Sequence, residues 1–215
     1  METDYQFFGD IRFFFKCYRY SSDVYHAIIY RVDRFQGKPI ESIEFPDTVS
    51  HNNVDYTVVA IEGSENRQDV YKVVTDRRRK DYGKKEFVCT EYIGKKAVCD
   101  TSVRDVKLPS TLQWIGESAF ANCHNLTSID IPDGVETIGE YAFYNTGAVF
   151  GKITIPASVK IIRKMAFYCR DAHTILDVRN KNGAIEIDSS ALSSHSKVKY
   201  IGEKKKGFFA RLFGK

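Results

Sequence analysis

The stretch AFANCHNL at residues 119–126 places the thiol of Cys123 beside the imidazole of His124. A thiol next to a histidine base is the pairing from which cysteine nucleophiles are built. Side chains of adjacent residues on an extended chain project to opposite sides, however, which makes a direct hydrogen bond between these two groups awkward. No third residue that could orient the histidine stands at a recognisable spacing. The pair therefore predicts no catalytic site, and we expect no enzyme.

Metal and phosphate sites find no support either. The five histidines are scattered without an HExxH motif, and the five cysteines form no CxxC pair, so neither a metal site nor a disulfide framework is predicted. The glycine–lysine stretches lack the GxxxxGK[ST] spacing of a phosphate loop. Asp130 and Asp133 fall where a turn is expected, and aspartate is common in turns. We therefore predict no metal, no cofactor and reduced thiols.

Composition sets wide bounds on the class of protein. The chain has 215 residues, 43% of them hydrophobic, and a formal charge of +4, which predicts a soluble globular protein and excludes a surface that binds polyanions as a whole. The first ten residues do not resemble a secretory signal, and no apolar run approaches the ~18 residues that a membrane-spanning helix needs. A cytoplasmic location is expected, with the cell surface as the alternative if a processed N-terminus is missing.

An internal repeat organises the elements that carry these residues. Pro109, Pro132 and Pro156 open three similar segments, at spacings of 23 and 24, and weaker copies occur at 43–49 and 184–188. A repeat of this length is typical of architectures in which each unit buries its apolar side against its neighbours. The three segments are LPSTLQWIGESAFANC from residue 108, IPDGVETIGEYAFYNT from 131 and IPASVKIIRKMAFYCR from 155.

Each repeat starts with the pattern of a short strand. In LTSIDIP, at 126–132, three apolar residues point inward, while Thr127, Ser128 and Asp130 are left for the exposed face. Proline then ends the strand at a place where its missing N–H costs little. We therefore predict a strand before each proline.

The second half of each repeat predicts a bend. The spacing of Ile138, Ala142 and Phe143 fits one face of a short helical turn, and Gly139 suits a tight bend. One further column holds short polar side chains of the kind that satisfy backbone groups at a turn. Its members are Asn122, Asn145 and Cys169.

The signature IPxxVxxIGxxAFxxC resembles the BspA-type leucine-rich repeats. The resemblance covers roughly residues 88–200, and 30–62 resembles the segment that precedes the first full repeat in such proteins. The resemblance implies mostly non-enzymatic surface or interaction proteins, often preceded by a signal or lipoprotein sequence, which this chain does not show. The period of about 23 residues falls within the range of leucine-rich repeats.

The predicted fold class is α/β and β-rich, a leucine-rich-repeat right-handed solenoid of roughly 23-residue coils with an N-terminal β-rich cap. Residues 1–62 form the cap region, 63–201 the solenoid and 202–215 a basic amphipathic tail. The predicted function is binding of a protein partner on the strand-bearing face, because exposed strand positions can vary without disturbing the core. The predicted contact residues are Arg104, Asp105, Lys107, Thr127, Ser128, Asp130, Lys152, Thr154 and Glu186.

Two alternatives rest on basic segments outside that face. The tail GEKKKGFFARLFGK could dock on the last coil, on a partner or weakly on a membrane surface, and in the last case the chain would be a membrane-peripheral or cell-surface structural protein. The run at 77–85 could neutralise phosphates and bind nucleic acid, although only Tyr82 offers a ring for stacking. The predicted tail contacts are Phe208, Phe209, Arg211, Leu212 and Phe213. The sequence predicts neither the partner's identity nor the oligomeric state.

Overall fold

The structure, a computed structural model, describes residues 4–34, 40–63, 70–73, 85–88, 97–98, 102–149, 151–179 and 185–201. Helix within these ranges is limited to one 3₁₀ turn, Gly147–Val149. The strands are β1 (Asp4–Phe8), β2 (Ile11–Arg19), β3 (Tyr25–Arg34), β4 (Ser42–Glu44), β5 (Thr48–His51), β6 (Val54–Ile61), β7 (Val70–Val73), β8 (Lys85–Val88), β9 (Asp105–Lys107), β10 (Trp114–Ile115), β11 (Thr137–Ile138), β12 (Lys152–Ile155), β13 (Ile161–Ile162), β14 (Ile175–Val178), β15 (Glu186–Ile187) and β16 (Lys197–Tyr200).

An antiparallel sheet forms the N-terminal part of the molecule. Strands β1 and β2 form a hairpin across Gly9, whose φ of 61° suits a tight two-residue turn, and β3 pairs with the other side of β2. The rings of Phe13 and Phe15 are buried in the core, as the alternating pattern of β2 requires. Strands β5 and β6 form a second hairpin, in which Asn52 and Asn53 both adopt positive φ.

Parallel strands continue this sheet into the repeats. Strand β6 pairs with β3 on one side and with β10 on the other, and β10, β11, β13 and β15 follow in parallel. From β10 to β15, paired residues are 23 to 25 positions apart, as in the series Ile115, Ile138, Ile162 and Ile187. The sheet is thus continuous across residue 62, where we predicted a boundary, and the three predicted regions remain a prediction.

Two smaller parallel sheets contain the strands that precede prolines, together with β14 and β16, which do not. One pairs β4 with β9, and the other has the order β12-β14-β16. The strand predicted at 126–132 is absent from the described chain, because a single backbone hydrogen bond, from the N–H of Thr127 to the Arg104 carbonyl at 3.0 Å, joins this segment to the residues before β9. One bond is too few for a ladder, although Leu126, Ile129 and Ile131 are buried as predicted.

The helical turn predicted around Ala142 and Phe143 was wrong. Residues 117–122 and 140–145 are turns, and both contain non-glycine residues with positive φ, which a right-handed helix excludes. The apolar spacing was read correctly as a buried face, since Phe143 is fully buried. The β-rich part of the predicted fold class is therefore confirmed, and its helical part is not found in the described residues.

A column of stacked rings runs through the core. We name Phe45, Phe120, Phe143 and Phe167 the phenylalanine column. Ring centroids are 5.4 Å apart between Phe120 and Phe143 and 5.2 Å apart between Phe143 and Phe167, with nearly parallel planes. Phe45 meets Phe120 edge-on at 6.0 Å. All four side chains are buried, so each repeat adds one ring to a continuous apolar column.

Gly139 acts through close approach and not through a bend of positive φ. A Cβ at this position would lie 2.7 Å from the carbonyl carbon of Gly116 and 2.8 Å from the amide nitrogen of Glu117. The glycine therefore lets the backbones of two successive repeats touch.

Candidate functional site

The first exposed charges of the strand-bearing side lie on β4 and β9. The side chains of Ser42, Glu44, Asp105 and Lys107 are exposed on either side of the buried Ile43 and Val106 pair. The ammonium group of Lys107 forms an ion pair with the carboxylate of Glu44, and this hydrogen bond raises the pKa of Lys107. Arg104 is exposed immediately before β9.

The next predicted residues lie beside β9. Thr127, Ser128 and Asp130 are exposed, although the segment that carries them is not a strand. The hydroxyl of Thr127 donates a hydrogen bond to the carbonyl of Arg104 at 3.3 Å. The backbone and the hydroxyl of Thr127 thus place this residue beside Arg104.

Strands β12, β14 and β16 carry the second half of this side. Lys152 is exposed and Thr154 is half-buried. Their neighbours on β14 and β16 are Ile175 with Lys197 and Asp177 with Lys199. The carboxylate of Asp177 forms an ion pair with the ammonium group of Lys152.

The predicted position of Glu186 was wrong. Glu186 lies on β15 and pairs with Ile161 on β13, so it belongs to the ladder of two-residue strands and not to the sheet of Lys152. Asp188 takes the column of Gly139 and Arg163, since its N–H donates to the Ile162 carbonyl just as theirs donate to Ile115 and Ile138. Hydrogen bonds from Ser190 to the Asp188 carboxylate close the turn there and lower the pKa of Asp188.

Four charged residues of this side were missed from the sequence. Asp177, Arg179, Lys197 and Lys199 belong to β14, β16 or the position just after β14. These strands were missed because no proline marks their ends. Arg179 follows β14 at the position where the earlier repeats carry proline. The inward residues Ile153, Leu176 and Val198 keep spacings of 23 and 22, and that period alone would have located both strands.

We name the outward residues of β4, β9, β12, β14 and β16, together with Arg104, Arg179 and 127–130, the strand face. It excludes Glu186 and includes the other eight predicted contact residues. Whether those eight bind a partner remains a prediction.

Comparison with known families identifies the repeats. A family model described as the BspA type leucine-rich repeat region matches residues 91–206 in six copies. The chain belongs to the BspA-type leucine-rich repeat family. Membership indicates a protein-interaction or surface-type repeat protein, and no enzyme family matches. A search of curated proteins returned no match.

Solved structures of bacterial leucine-rich repeat proteins resemble this BspA-type chain. The pneumococcal vaccine antigen PcpA aligns with 92% of the chain at 14% identity and a TM-score of 0.52. A leucine-rich repeat protein from Bacteroides ovatus aligns with 86% at 16% identity and a TM-score of 0.39, and the T. pallidum protein TpLRR with 86% at 18% and 0.41. The alignments cover 50% of PcpA, 56% of the B. ovatus protein and 83% of TpLRR, so the chain spans about half the length of the first two.

Cys123 is a core residue of its BspA-type repeat. Its side chain is 1% exposed, and its thiol points to the carbonyl of Val98 at 3.6 Å. His124 is exposed. The two side chains thus lie on opposite sides of the backbone, which removes the geometry that a thiolate and its base require.

We name Asn122, Asn145 and Cys169 the asparagine column. Their side chains join successive BspA-type repeats. The Asn145 amide nitrogen donates to the Asn122 side-chain oxygen at 3.1 Å, and the Cys169 thiol donates to the Asn145 side-chain oxygen at 3.6 Å. Asn122 and Asn145 also have positive φ, which asparagine tolerates better than most residues. We predicted bonds from these side chains to turn backbone; the bonds found run from one repeat to the next.

Burial shifts the pKa of two titratable side chains in the N-terminal sheet. Burial, with a smaller contribution from Asp4, raises the pKa of the Cys17 thiol to about 12, and a thiol in this state is a poor nucleophile. Burial lowers the pKa of His26, whose ring stacks on Tyr20 at 5.0 Å. Within the described ranges no group of three or more His, Cys, Asp or Glu side chains is arranged to hold a metal ion.

The two basic segments named as alternatives lie outside this description. The tail contacts Phe208, Phe209, Arg211, Leu212 and Phe213 fall in 202–215, and the run at 77–85 is described only at the backbone of Lys85. Membrane attachment and nucleic-acid binding therefore remain predictions. Among the described residues, no helix has the length and apolar character to cross a membrane.

Proposed function

We propose that this chain is a non-enzymatic protein-interaction module that binds a protein partner on its strand face. In this proposal the repeats stack as right-handed coils of roughly 23 residues, a leucine-rich-repeat solenoid. The parallel pairings of β10, β11, β13 and β15, which join positions 23 to 25 apart, support the stacking. The phenylalanine column supports it as well, because each ring lies on the ring of the previous repeat.

The observation that carries the proposal is the contrast between inward and outward residues of the same strands. On β12 and β14 the inward residues Ile153, Ile155, Leu176 and Val178 are at most 2% exposed. The outward positions carry Lys, Thr, Ile and Asp, with no type repeated between them. A surface of this kind can change its chemistry from strand to strand while the core beneath it stays the same, which suits recognition.

Photo-crosslinking tests the proposal directly. A photoreactive amino acid replaces Ser128 or Lys197 on the strand face, and Lys164, exposed in a turn, provides the matched control position. The full chain is expressed in the cells that carry it, and crosslinked proteins are identified by mass spectrometry. We expect one or a few partners captured from Ser128 or Lys197 and not from Lys164.

Charge reversal provides the second arm of that experiment. Asp105→Lys combined with Asp130→Lys changes two exposed carboxylates of the strand face and should abolish or weaken capture from Ser128. Melting curves establish that the variant is folded. Equal capture from all three positions, or capture that ignores the reversals, would refute partner binding on this face.

Location in the cell remains a separate proposal. We propose a cytoplasmic protein, and fractionation of cells that express the full chain tests it. Recovery of the chain from the cell surface after mild protease treatment of intact cells would favour the alternative location.

A further inference from the structure

The outward residues of β12, β14 and β16 form a small grid. One row contains Lys152, Ile175 and Lys197, and the next contains Thr154, Asp177 and Lys199. Neighbouring strands are about 4.8 Å apart, and alternate residues of one strand are about 6.6 Å apart. Arg179 extends the outward side of β14 by one more alternate position and is exposed. The grid is therefore a compact patch of cations, which we name the basic grid.

Most of its cations have no carboxylate among the described residues to neutralise them. Asp177 is 7% exposed and is already paired with Lys152. Within the described chain, no carboxylate lies in ion-pair distance of Lys197, Lys199 or Arg179. These three cations thus surround one satisfied, buried carboxylate, and such a cluster attracts an anionic group from outside the protein.

The other half of the strand face has the opposite charge. Around β4 and β9 the exposed carboxylates are Glu41, Glu44, Asp105 and Asp130. Among the described residues there, the exposed cations are only Arg104 and Lys107, and Lys107 is paired with Glu44. A partner with an acidic segment is therefore attracted by one half of the face and repelled by the other, which fixes where on the face it binds.

The spacing of the cations fits an extended peptide. Lys197 and Lys199 are alternate residues of one strand, so they repeat with the same interval as alternate side chains of a bound extended segment. Ile175, half-buried between Lys152 and Lys197, offers apolar contact to the aliphatic part of a glutamate. The outward positions of β12, β14 and β16 carry no Phe, Tyr or Trp, and such rings are what single-stranded nucleic acid uses for stacking.

We propose that the basic grid binds an extended acidic segment of a protein partner, with carboxylates at alternate positions. This assignment rests on the proposed function, because it names the chemistry of the partner for one half of the same face. Lys197 and Lys199 contact the carboxylates directly, and Asp177 holds Lys152 in place beside them.

The test uses the full chain and a fluorescein-labelled glutamate octapeptide, with binding followed by fluorescence anisotropy. Lys197→Gln with Lys199→Gln removes two charges from the grid. Lys160→Gln with Lys164→Gln removes two charges from exposed lysines that flank β13, in a different sheet. We expect the first pair to weaken binding about fivefold to thirtyfold, at ~0.5–1 kcal/mol per exposed charge pair, and the second to leave it within about twofold.

Rescue separates recognition from folding. Lys197→Arg with Lys199→Arg keeps both charges and should bind as the unchanged chain does. Equal weakening by the two glutamine pairs, or no binding at low salt, overturns the assignment. A heparin oligosaccharide that binds more tightly than the octapeptide and needs the same lysines would assign the grid to acidic glycans instead, and loss of a dimer on removal of the lysines would assign it to a second copy of the chain.

The same measurements distinguish this inference from the proposed function. If a partner is captured from Ser128 but the octapeptide does not bind, the proposed interaction function stands and only the acidic-segment inference is refuted. Octapeptide binding without any capture from the strand face would show an anion site and refute protein recognition in cells.

Discussion

Phe120, Phe143 and Phe167 occupy one position of three successive repeats with identical chemistry, whereas the outward positions of β12, β14 and β16 change from strand to strand. Both sets recur with a similar period, yet the three rings are buried, whereas Lys152, Lys197 and Lys199 on the outward side are exposed. The comparison teaches that the repeat can separate stability from the proposed recognition. Inward residues hold the repeats together, and outward residues are free to vary toward the partner we propose.

The largest loss of stability is expected from the centre of the phenylalanine column. Phe143 has a ring on each side, at 5.4 and 5.2 Å, and is fully buried. Phe143→Ala should lower the free energy of unfolding by about 3–5 kcal/mol, because it removes apolar burial and leaves a cavity. Urea denaturation followed by circular dichroism measures it, with the half-buried Tyr144→Ala as the milder control. If both variants lose the same free energy of unfolding, the phenylalanine column is not the main source of stability.

A smaller effect is expected where the backbones of two repeats touch. Gly139→Ala would place a methyl group 2.7 Å from the backbone of Gly116, and the shift this forces should cost about 1–3 kcal/mol. Gly134→Ala is the matched control, since its nearest neighbour is the Leu112 carbonyl at 3.1 Å. Thermal melts of both variants make the comparison; a melting temperature for Gly139→Ala at or above that of the control would show that the repeats can separate without penalty.

The asparagine column tests how much side-chain hydrogen bonds between repeats contribute. Asn145→Gly removes the bonds to Asn122 and Cys169 but tolerates the φ of 52°, and it should cost about 1 kcal/mol. Asn145→Ala adds the strain of a left-handed backbone and should cost about 1 kcal/mol more. Urea denaturation of the two variants separates the loss of the hydrogen bonds from the strain of the left-handed backbone. If both variants lose the same free energy of unfolding, the backbone conformation at this position is not strained.

The buried ring of His26 in the N-terminal sheet predicts that the stability of the chain depends on pH. Burial lowers its pKa below 6.5 in the folded chain, so the unfolded chain binds the proton more readily. Its contribution to stability is complete above pH 6.5 and is lost as the pH falls from there through the folded-state pKa. Melting temperatures between pH 7.5 and 5 should fall less steeply for His26→Phe than for the unchanged chain, and equal slopes would contradict this prediction.

The smallest change in stability is expected on the outward side of the comparison. Lys197→Gln with Lys199→Gln should alter the free energy of unfolding by no more than about 0.5 kcal/mol, because both side chains are exposed and have no ion-pair partner in the described part of the chain. The same variant should bind the octapeptide about fivefold to thirtyfold more weakly than the unchanged chain. If this variant loses both stability and octapeptide binding, the residues that stabilise the fold and those that bind the peptide are not separate sets.

Residues that face the core were predictable from the sequence because burial leaves a periodic trace. Ile115, Ile138 and Ile162 are at most 1% exposed, as their spacing predicts. The sequence carries no comparable pattern for which strands pair with each other. The buried and exposed positions of 126–132 were therefore predicted correctly, whereas the strand predicted there was not found. The turn beyond Ile138 was missed because Ser118, Tyr141 and Met165 take positive φ without the glycine that normally announces it.

The residues of the candidate site, the strand face, were predictable only where a proline follows the strand. Arg104 to Lys107 and Lys152 to Thr154 are each followed by such a proline, and they lie where the pattern placed them. Beyond Pro156 the marker disappears, and the similarity of AIEID to the earlier strands drew Glu186 into the wrong sheet. The residues of the basic grid on β14 and β16 were lost for the same reason.

The pairings from β10 to β15 link each strand to a partner only 23 to 25 positions away, and this distance governs how the chain acquires its structure. Closing a segment of that length costs little more entropy than closing a much shorter one, so β11, β13 and β15 need not wait for a distant part of the sequence to be made. We expect the repeats to fold in order as they leave the ribosome, because the short strand of each repeat pairs with the exposed edge of the strand from the previous repeat. An interruption of synthesis would then leave a shorter folded protein in place of an unfolded one.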